Sequence, residues 1–182
     1  MEEQEMTAPS RRADIYDWIQ CIVAALIVCV LVFVFLFRMV NVVGHSMVPT
    51  LDENDKIVIC NLFYTPKQGD IVVLRKDTFM NDPIVKRVIA VGGQKVDIDF
   101  DNGIVYIDGE PIEEEYINDL TNRKLDFIGP QTVPEGCVFV MGDNRNMSTD
   151  SRKKEIGMVD ARLIIGKVYM VIFPMTSFGS VY

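Results

Sequence analysis

A serine held in a turn and a lysine set among apolar residues are the two parts of a hydroxyl nucleophile with an amine base, and this sequence contains both. GHSMVPTL (residues 44–51) presents Ser46 two residues after Gly44, which opens backbone conformations closed to other residues, and ahead of Pro49, which fixes the chain beyond it. IVKRVIAVGG (84–93) places Lys86 in an apolar run. In a strand, Ile84, Lys86, Val88 and Ala90 share one face, and Val85, Arg87, Ile89 and Val91 the other. Desolvation penalises the ammonium form and lowers a lysine pKa from about 10.4, by as much as several units. In that state the amine accepts a proton from a serine near neutral pH. Arg87 cannot substitute, because a guanidinium does not deprotonate in proteins. Each segment by itself also has an ordinary reading. Gly-x-Ser turns recur in loops that do nothing, and most strand lysines pack their stem and send the head to water.

His45 is the other candidate base, but adjacent side chains in an extended segment point to opposite faces, so it does not easily reach Ser46. It is also the only histidine, which excludes a second histidine for a Ser-His-Asp arrangement and excludes a multi-histidine metal site. A third segment, GDNRNMSTDSR (142–152), packs Asp143, Arg145, Asp150 and Arg152 around Ser148 directly after the apolar run CVFVM. Such density of opposite charge suits either an ion-paired turn or a layer that orients a reactive group, and composition does not separate the two.

The elements that must position these residues begin with a membrane span. Residues 18–37 (WIQCIVAALIVCVLVFVFLF) carry no charge, and twenty helical residues reach about 30 Å, the thickness of a hydrocarbon core. Tyr16 and Trp18 stand at one end, where aromatic rings anchor at the interface. Arg11 and Arg12 precede the span and Arg38 follows it, which favours the amino terminus in the cytoplasm and the bulk of the chain outside. A cleaved leader would have a shorter apolar core followed by a small-x-small site, and FRMVNVVG offers none. The chain therefore divides into a cytoplasmic tail (1–15), an anchor helix (16–38) and an extracytoplasmic domain (39–182).

That domain reads as mainly β. Short β-branched runs, KIVIC, DIVVLR, IVKRVIAV, KVDID, IVYID, CVFVM and LIIGKVYMVIF, are separated by Gly-rich turns, and Asn102-Gly103 joins KVDID to IVYID as a hairpin. Residues 112–128, charged and irregular, read as a surface excursion. The 182 residues carry a net charge of −8 with no clustered basic run, so no nucleic acid is expected as a partner. Four cysteines show neither CxxC spacing nor a disulfide framework; a Cys60–Cys137 bridge stays open.

Together these segments resemble the bacterial type I signal peptidases, membrane-anchored serine proteases that remove signal peptides from exported proteins. The likeness runs from residue 16 to 182: GHSMVPTL resembles the nucleophile box, GDIVVL (69–74) the following strand box, KRVIAVGG (86–93) the lysine box and GDNRNMSTDSR the box after it, and GKVYMVIFPMTSFG (166–179) resembles the family's ending. The resemblance implies Ser46 as nucleophile and Lys86 as general base, with Ser148 hydrogen-bonded to the lysine. It implies an Asp150–Arg152 pair holding that loop, Asp143 and Arg145 in support, and the Ser46 N–H donating to the oxyanion. It also implies a substrate added as a β-strand between residues 40–44 and 82–85, with Val42, Met47, Leu51, Ile84 and Val85 lining shallow pockets for small residues one and three positions before the cut. Secretory preproteins and membrane lipid are the implied partners, the cytoplasmic membrane the implied location, and no cofactor or metal is required.

Three positions depart from the family pattern. Gly44 stands where some members have an oxyanion-hole serine, Gly92-Gly93-Gln94 replaces a frequent Pro-Gly-Asp, and Asn146-Met147 replaces Asp-Asn. The short 112–128 excursion resembles the compact Gram-positive form. Two other readings compete: a self-cleaving Ser–Lys protease of the repressor type, and a membrane-tethered β-domain that binds exported peptides without cutting them.

Overall fold

The computed structural model describes residues 11–76 and 82–181, in two compact units divided between Phe37 and Arg38. The first unit is one helix, α1 (Arg11–Leu36), of which Asp14–Val34 is long and apolar enough to cross a membrane, with a mean hydropathy of 2.5. It is apolar all round and its span is not buried by protein, as a lipid-facing helix requires. The helix starts before the apolar run, so residues 11–15 of the expected tail are helical; Asp14 in its first turn suits the positive end of the helix dipole. Residues 1–10 of that tail lie outside the described residues. The helix ends at Leu36 because the next five residues are taken into a strand.

Twelve strands follow among the described residues. They are β1 (Phe37–Asn41), β2 (Lys56–Cys60), β3 (Ile71–Leu74), β4 (Ile84–Val91), β5 (Lys95–Asp99), β6 (Ile104–Ile107), β7 (Glu110–Pro111), β8 (Gln131–Thr132), β9 (Cys137–Met141), β10 (Val159–Asp160), β11 (Ile164–Phe173) and β12 (Gly179–Ser180). The mainly-β expectation holds. One sheet has the order β1-β2-β11-β3-β4-β9-β10 with β12 on β11, and a smaller one runs β7-β6-β5-β8. The ten-residue β11 joins the larger sheet, pairing β3 through its first half and β2 through its second. Asn102-Gly103 does connect β5 to β6, with Gly103 at φ +71, a conformation that favours glycine. Cys60 and Cys137 are unpaired.

Period-two alternation explains how the larger sheet is buried on both faces. Ile71 and Val73 of β3 pack with Val42, Met47, Leu51, Ile57 and Val85, while Val72 and Leu74 pack with Val88, Val138, Val140 and Ile164. A third cluster joins the small sheet to the large one around Phe127, which meets Phe100 and Phe139 edge-on at 5.9 and 5.8 Å. Residues 112–128 are therefore only partly the surface excursion expected. They form no strand, but Thr121 and Phe127 are buried.

Two features place the site. Strand β9 pairs with β4 only from Arg87 onward, so residues 84–86 have no described strand on that side. The turn at 44–51 is closed by the Leu51 N–H donating to the Met47 carbonyl at 3.0 Å, and Met47 and Leu51 anchor it in the core.

Candidate active site

Ser46 and Lys86 meet. Lys86 Nζ lies 2.6 Å from Ser46 Oγ and donates a second hydrogen bond, at 2.9 Å, to its neighbour's carbonyl, that of Val85. Lys86 sits opposite Val72 in the β3–β4 register and is 3 % exposed. Burial is the main cause that lowers its pKa from 10.5 to about 8; Asp150 and Asp143 pull it up and Arg152 pushes it down. The desolvated amine is thus a proton acceptor just above neutrality. As the ammonium it donates to the serine, and once neutral it has a lone pair that can accept a proton. His45 points elsewhere: its side chain is exposed, with Nε2 3.7 Å from Glu53 Oε2.

The nucleophile turn is held from behind by the loop after β9. Asn144 donates from its backbone N–H to the Ser46 carbonyl and from Nδ2 to the His45 carbonyl, both at 3.0 Å. Thr50 Oγ1 donates to Asp143 Oδ2 at 2.5 Å. Gly142 passes so close that a Cβ there would lie 2.4 Å from the Ser46 carbonyl and 2.3 Å from Ser148 Oγ.

The charge-dense segment proves to be a buried network, partly paired as expected. Asp150 holds Arg152 through Nε and the terminal nitrogen, both at 2.8 Å, and also accepts from the Gly142 N–H. Asp143 does not pair with its near neighbour Arg145. It takes a bidentate grip from Arg87, at 2.8 and 2.6 Å, tying the residue beside Lys86 to the turn that carries Ser46. Arg145 instead forks onto Glu114, donates to Thr121 at 2.9 Å and braces the Gly142 carbonyl through Nε at 3.0 Å. The Tyr116 ring stacks 3.9 Å from the Arg87 guanidinium, and its hydroxyl donates to Glu114, so burial and that carboxylate push its pKa up. Glu114, Tyr116, Thr121, Arg87 and Thr50 were not singled out as parts of the site. Thr50 and Arg87 lie within the Ser46 and Lys86 segments, whereas for Glu114 and Tyr116 the density of acids in 112–119 was the available signal, and it reads equally well as a solvated face.

Two expectations are corrected. Ser148 is buried, but its Oγ has no hydrogen-bond partner; Lys86 Nζ is drawn to Ser46 and the Val85 carbonyl instead. Leu51 does not line the cleft beside the serine. It is fully buried in the core below, because the turn that carries Ser46 folds it inward.

The cleft itself has a volume of about 240 Å³ and is lined by residues 40–43, by Ser46 and Met47, and by residues 82–86. Val42, Met47, Ile84 and Val85 line it as expected. It is smaller than the roughly 300–1,000 Å³ of ordinary ligand clefts.

A family model described as signal peptidase, peptidase S26, matches residues 15–173. The chain is 35% identical over 186 residues to a probable signal peptidase I-1 of Synechocystis sp., covering 97% of this chain and 91% of that protein. It is 35% identical to a signal peptidase I of Bacillus licheniformis, covering 96% of each. With signal peptidase I P of Bacillus subtilis subsp. natto it shares 38% identity, over 91% of this chain and 92% of that one. A crystal structure of a signal peptidase I from Enterococcus faecalis is similar at a TM-score of 0.48 and 28% identity, over 57% of this chain and 97% of that one.

Proposed function

We infer a Ser46–Lys86 mechanism for this chain, which belongs to the signal peptidase family, peptidase S26, and is a serine endopeptidase acting on the signal peptides of secretory preproteins. The observation that carries the assignment is the 2.6 Å contact between a turn serine and a lysine whose pKa burial lowers to about 8. Lys86 takes the hydroxyl proton as Ser46 Oγ attacks the scissile carbonyl. The resulting oxyanion receives the Ser46 N–H, which has no hydrogen-bond partner among the described residues. Gly44 adds no side-chain donor, and its own N–H is turned to Glu53 at 3.3 Å. The intermediate collapses to an ester on Ser46, and the leaving amine takes its proton from Lys86. Water then gives a proton to Lys86 and attacks the ester; the Ser46 oxygen leaves and takes that proton back from Lys86, and the signal peptide departs as an acid that ionises to its carboxylate.

Supporting roles follow the network. Asp150 and Arg152 fix the loop behind the base, Asp143 joins the base strand to the nucleophile turn, and Arg145 braces Gly142. The substrate lies as an added strand between residues 40–43 and 82–85, its small side chains one and three positions before the cut facing Val42, Met47, Ile84 and Val85.

The test is cleavage of a model preprotein by the detergent-solubilised full chain across pH. The rate should rise about tenfold per pH unit up to about pH 8 and level off above, since only neutral Lys86 accepts the proton. An acylating serine probe should label Ser46 along the same curve. A flat profile between pH 6 and 9, or labelling at another serine, overturns the assignment. Equal cutting of Ala and Phe before the scissile bond would overturn the pocket reading.

We also propose that α1 anchors the enzyme in the cytoplasmic membrane with the amino terminus inside and the catalytic unit outside, in contact with membrane lipid, where emerging signal peptides are met. Support comes from the 21-residue apolar span and from Arg11 and Arg12 before it. Protease added to protoplasts should digest the catalytic unit. Protection until lysis reverses the orientation.

A further inference from the structure

We propose that Asp82 sets a charge preference in the substrate cleft, favouring a basic side chain and rejecting an acidic one about four residues before the scissile bond. The inference rests on the reading of this cleft as the signal-peptide site and names a determinant within it. Among the described residues that line the cleft, two are ionisable, Lys86 beside Ser46 and Asp82 four residues before it in the chain. Lys86 is buried and turned onto Ser46, whereas Asp82 is exposed and has no partner among the described residues. Among the described residues, the one exposed charge on the cleft wall is therefore negative. Arg38, two residues before Val40 on β1, is exposed but does not line the cleft.

The position follows from chain geometry. Strand β4 begins at Ile84, and Pro83 leads into it from Asp82, which stands at a bend. Four residues at no more than about 3.3 Å each place Asp82 up to about 13 Å from the level of Lys86. A substrate strand laid alongside advances by the same rise, so the side chain level with Asp82 is about the fourth before the bond that Ser46 attacks. The rest of the wall offers that side chain the Asn41 amide and apolar groups, neither of which neutralises a carboxylate.

The experiment uses the full-length enzyme in detergent and three preproteins that differ only at the fourth residue before the cut, as Lys, Gln or Glu. Ratios of kcat/KM within each enzyme variant cancel any change in overall activity. The wild type should prefer Lys to Glu by about three- to tenfold at low salt, with Gln between, and the spread should narrow in about 0.5 M salt. Asp82→Asn should flatten the series, and Asp82→Lys should invert it. Equal cutting of all three by the wild type, or a series unchanged in Asp82→Asn, overturns the proposal while Ser46-dependent cleavage keeps the site. Absence of any Ser46-dependent cleavage overturns the site and the proposal together.

Discussion

Replacing Lys86 with methionine is expected to abolish cleavage and, at pH 7, to raise the melting temperature. Methionine matches the lysine stem in length and fits a position that is 3 % exposed, so the fold has no reason to fail. Without the amine nothing takes the Ser46 proton, and the rate should fall by on the order of 10⁴-fold or more, since nucleophile and base act as a unit. The stability change has the opposite sign. Lys86 titrates at 10.5 in the unfolded chain and at about 8 in the native one. Above pH 10.5 neither state binds the proton. As pH falls toward 8 the unfolded chain gains it first, and native stability is lost. Below pH 8 the loss is complete, at roughly 3 kcal/mol for a shift of this size, less what the hydrogen bonds of Lys86 return. Lys86→Met should therefore be more stable by about 1–3 kcal/mol below pH 8, and the advantage should vanish above about pH 10.5. Calorimetry in detergent at pH 7 and pH 10.5, beside a preprotein assay, reads both effects. Cleavage within tenfold of the parent would remove Lys86 as the base and return attention to His45.

Gly142→Ala should cost about 100-fold or more in kcat/KM, although no reacting group is touched. An alanine Cβ would fall 2.4 Å from the Ser46 carbonyl oxygen and 2.6 Å from Ser148 Cβ, distances that no real Cβ holds. Ser148 is buried and has nowhere to swing, and the Ser46 carbonyl is backbone. Gly142 cannot retreat either, because its N–H donates to Asp150 at 3.1 Å and its carbonyl accepts from Arg145 at 3.0 Å. The nucleophile turn must therefore move, and a displacement on the order of 1 Å costs about 10² in rate. Overpacking should lower stability by about 1–3 kcal/mol as well. Turnover measured well below the melting temperature, with circular dichroism showing a folded domain, separates the two. Wild-type turnover in a folded Gly142→Ala protein would mean that the loop does not position Ser46.

Residue chemistry and local period made part of this protein readable without coordinates. Residues 18–37 are a charge-free run, and no neighbour is needed to make them so. Strands β2, β4, β5 and β9 carry their bounds in β-branched runs ended by turn residues, and the β5–β6 hairpin is written in Asn102-Gly103. Ser46 and Lys86 were named because only certain side chains can attack a carbonyl or accept the proton. What stayed hidden depends on contacts between distant segments. The two-residue strands β7, β8, β10 and β12 have no period to show, and β1 was masked because FRMVN continues the apolar run of the helix. Asp143 had Arg145 as its nearest opposite charge in sequence, yet it pairs with Arg87, 56 residues away, because β4 and β9 lie side by side. Glu114 looked like one acid among many until the fold closed it over Arg145. Leu51 followed Ser46 in sequence but turned into the core. The pKa of Lys86 belongs to the same class: its direction was legible from apolar neighbours, but its value near 8 is set by desolvation against Asp150, Asp143 and Arg152, which only tertiary packing brings to it.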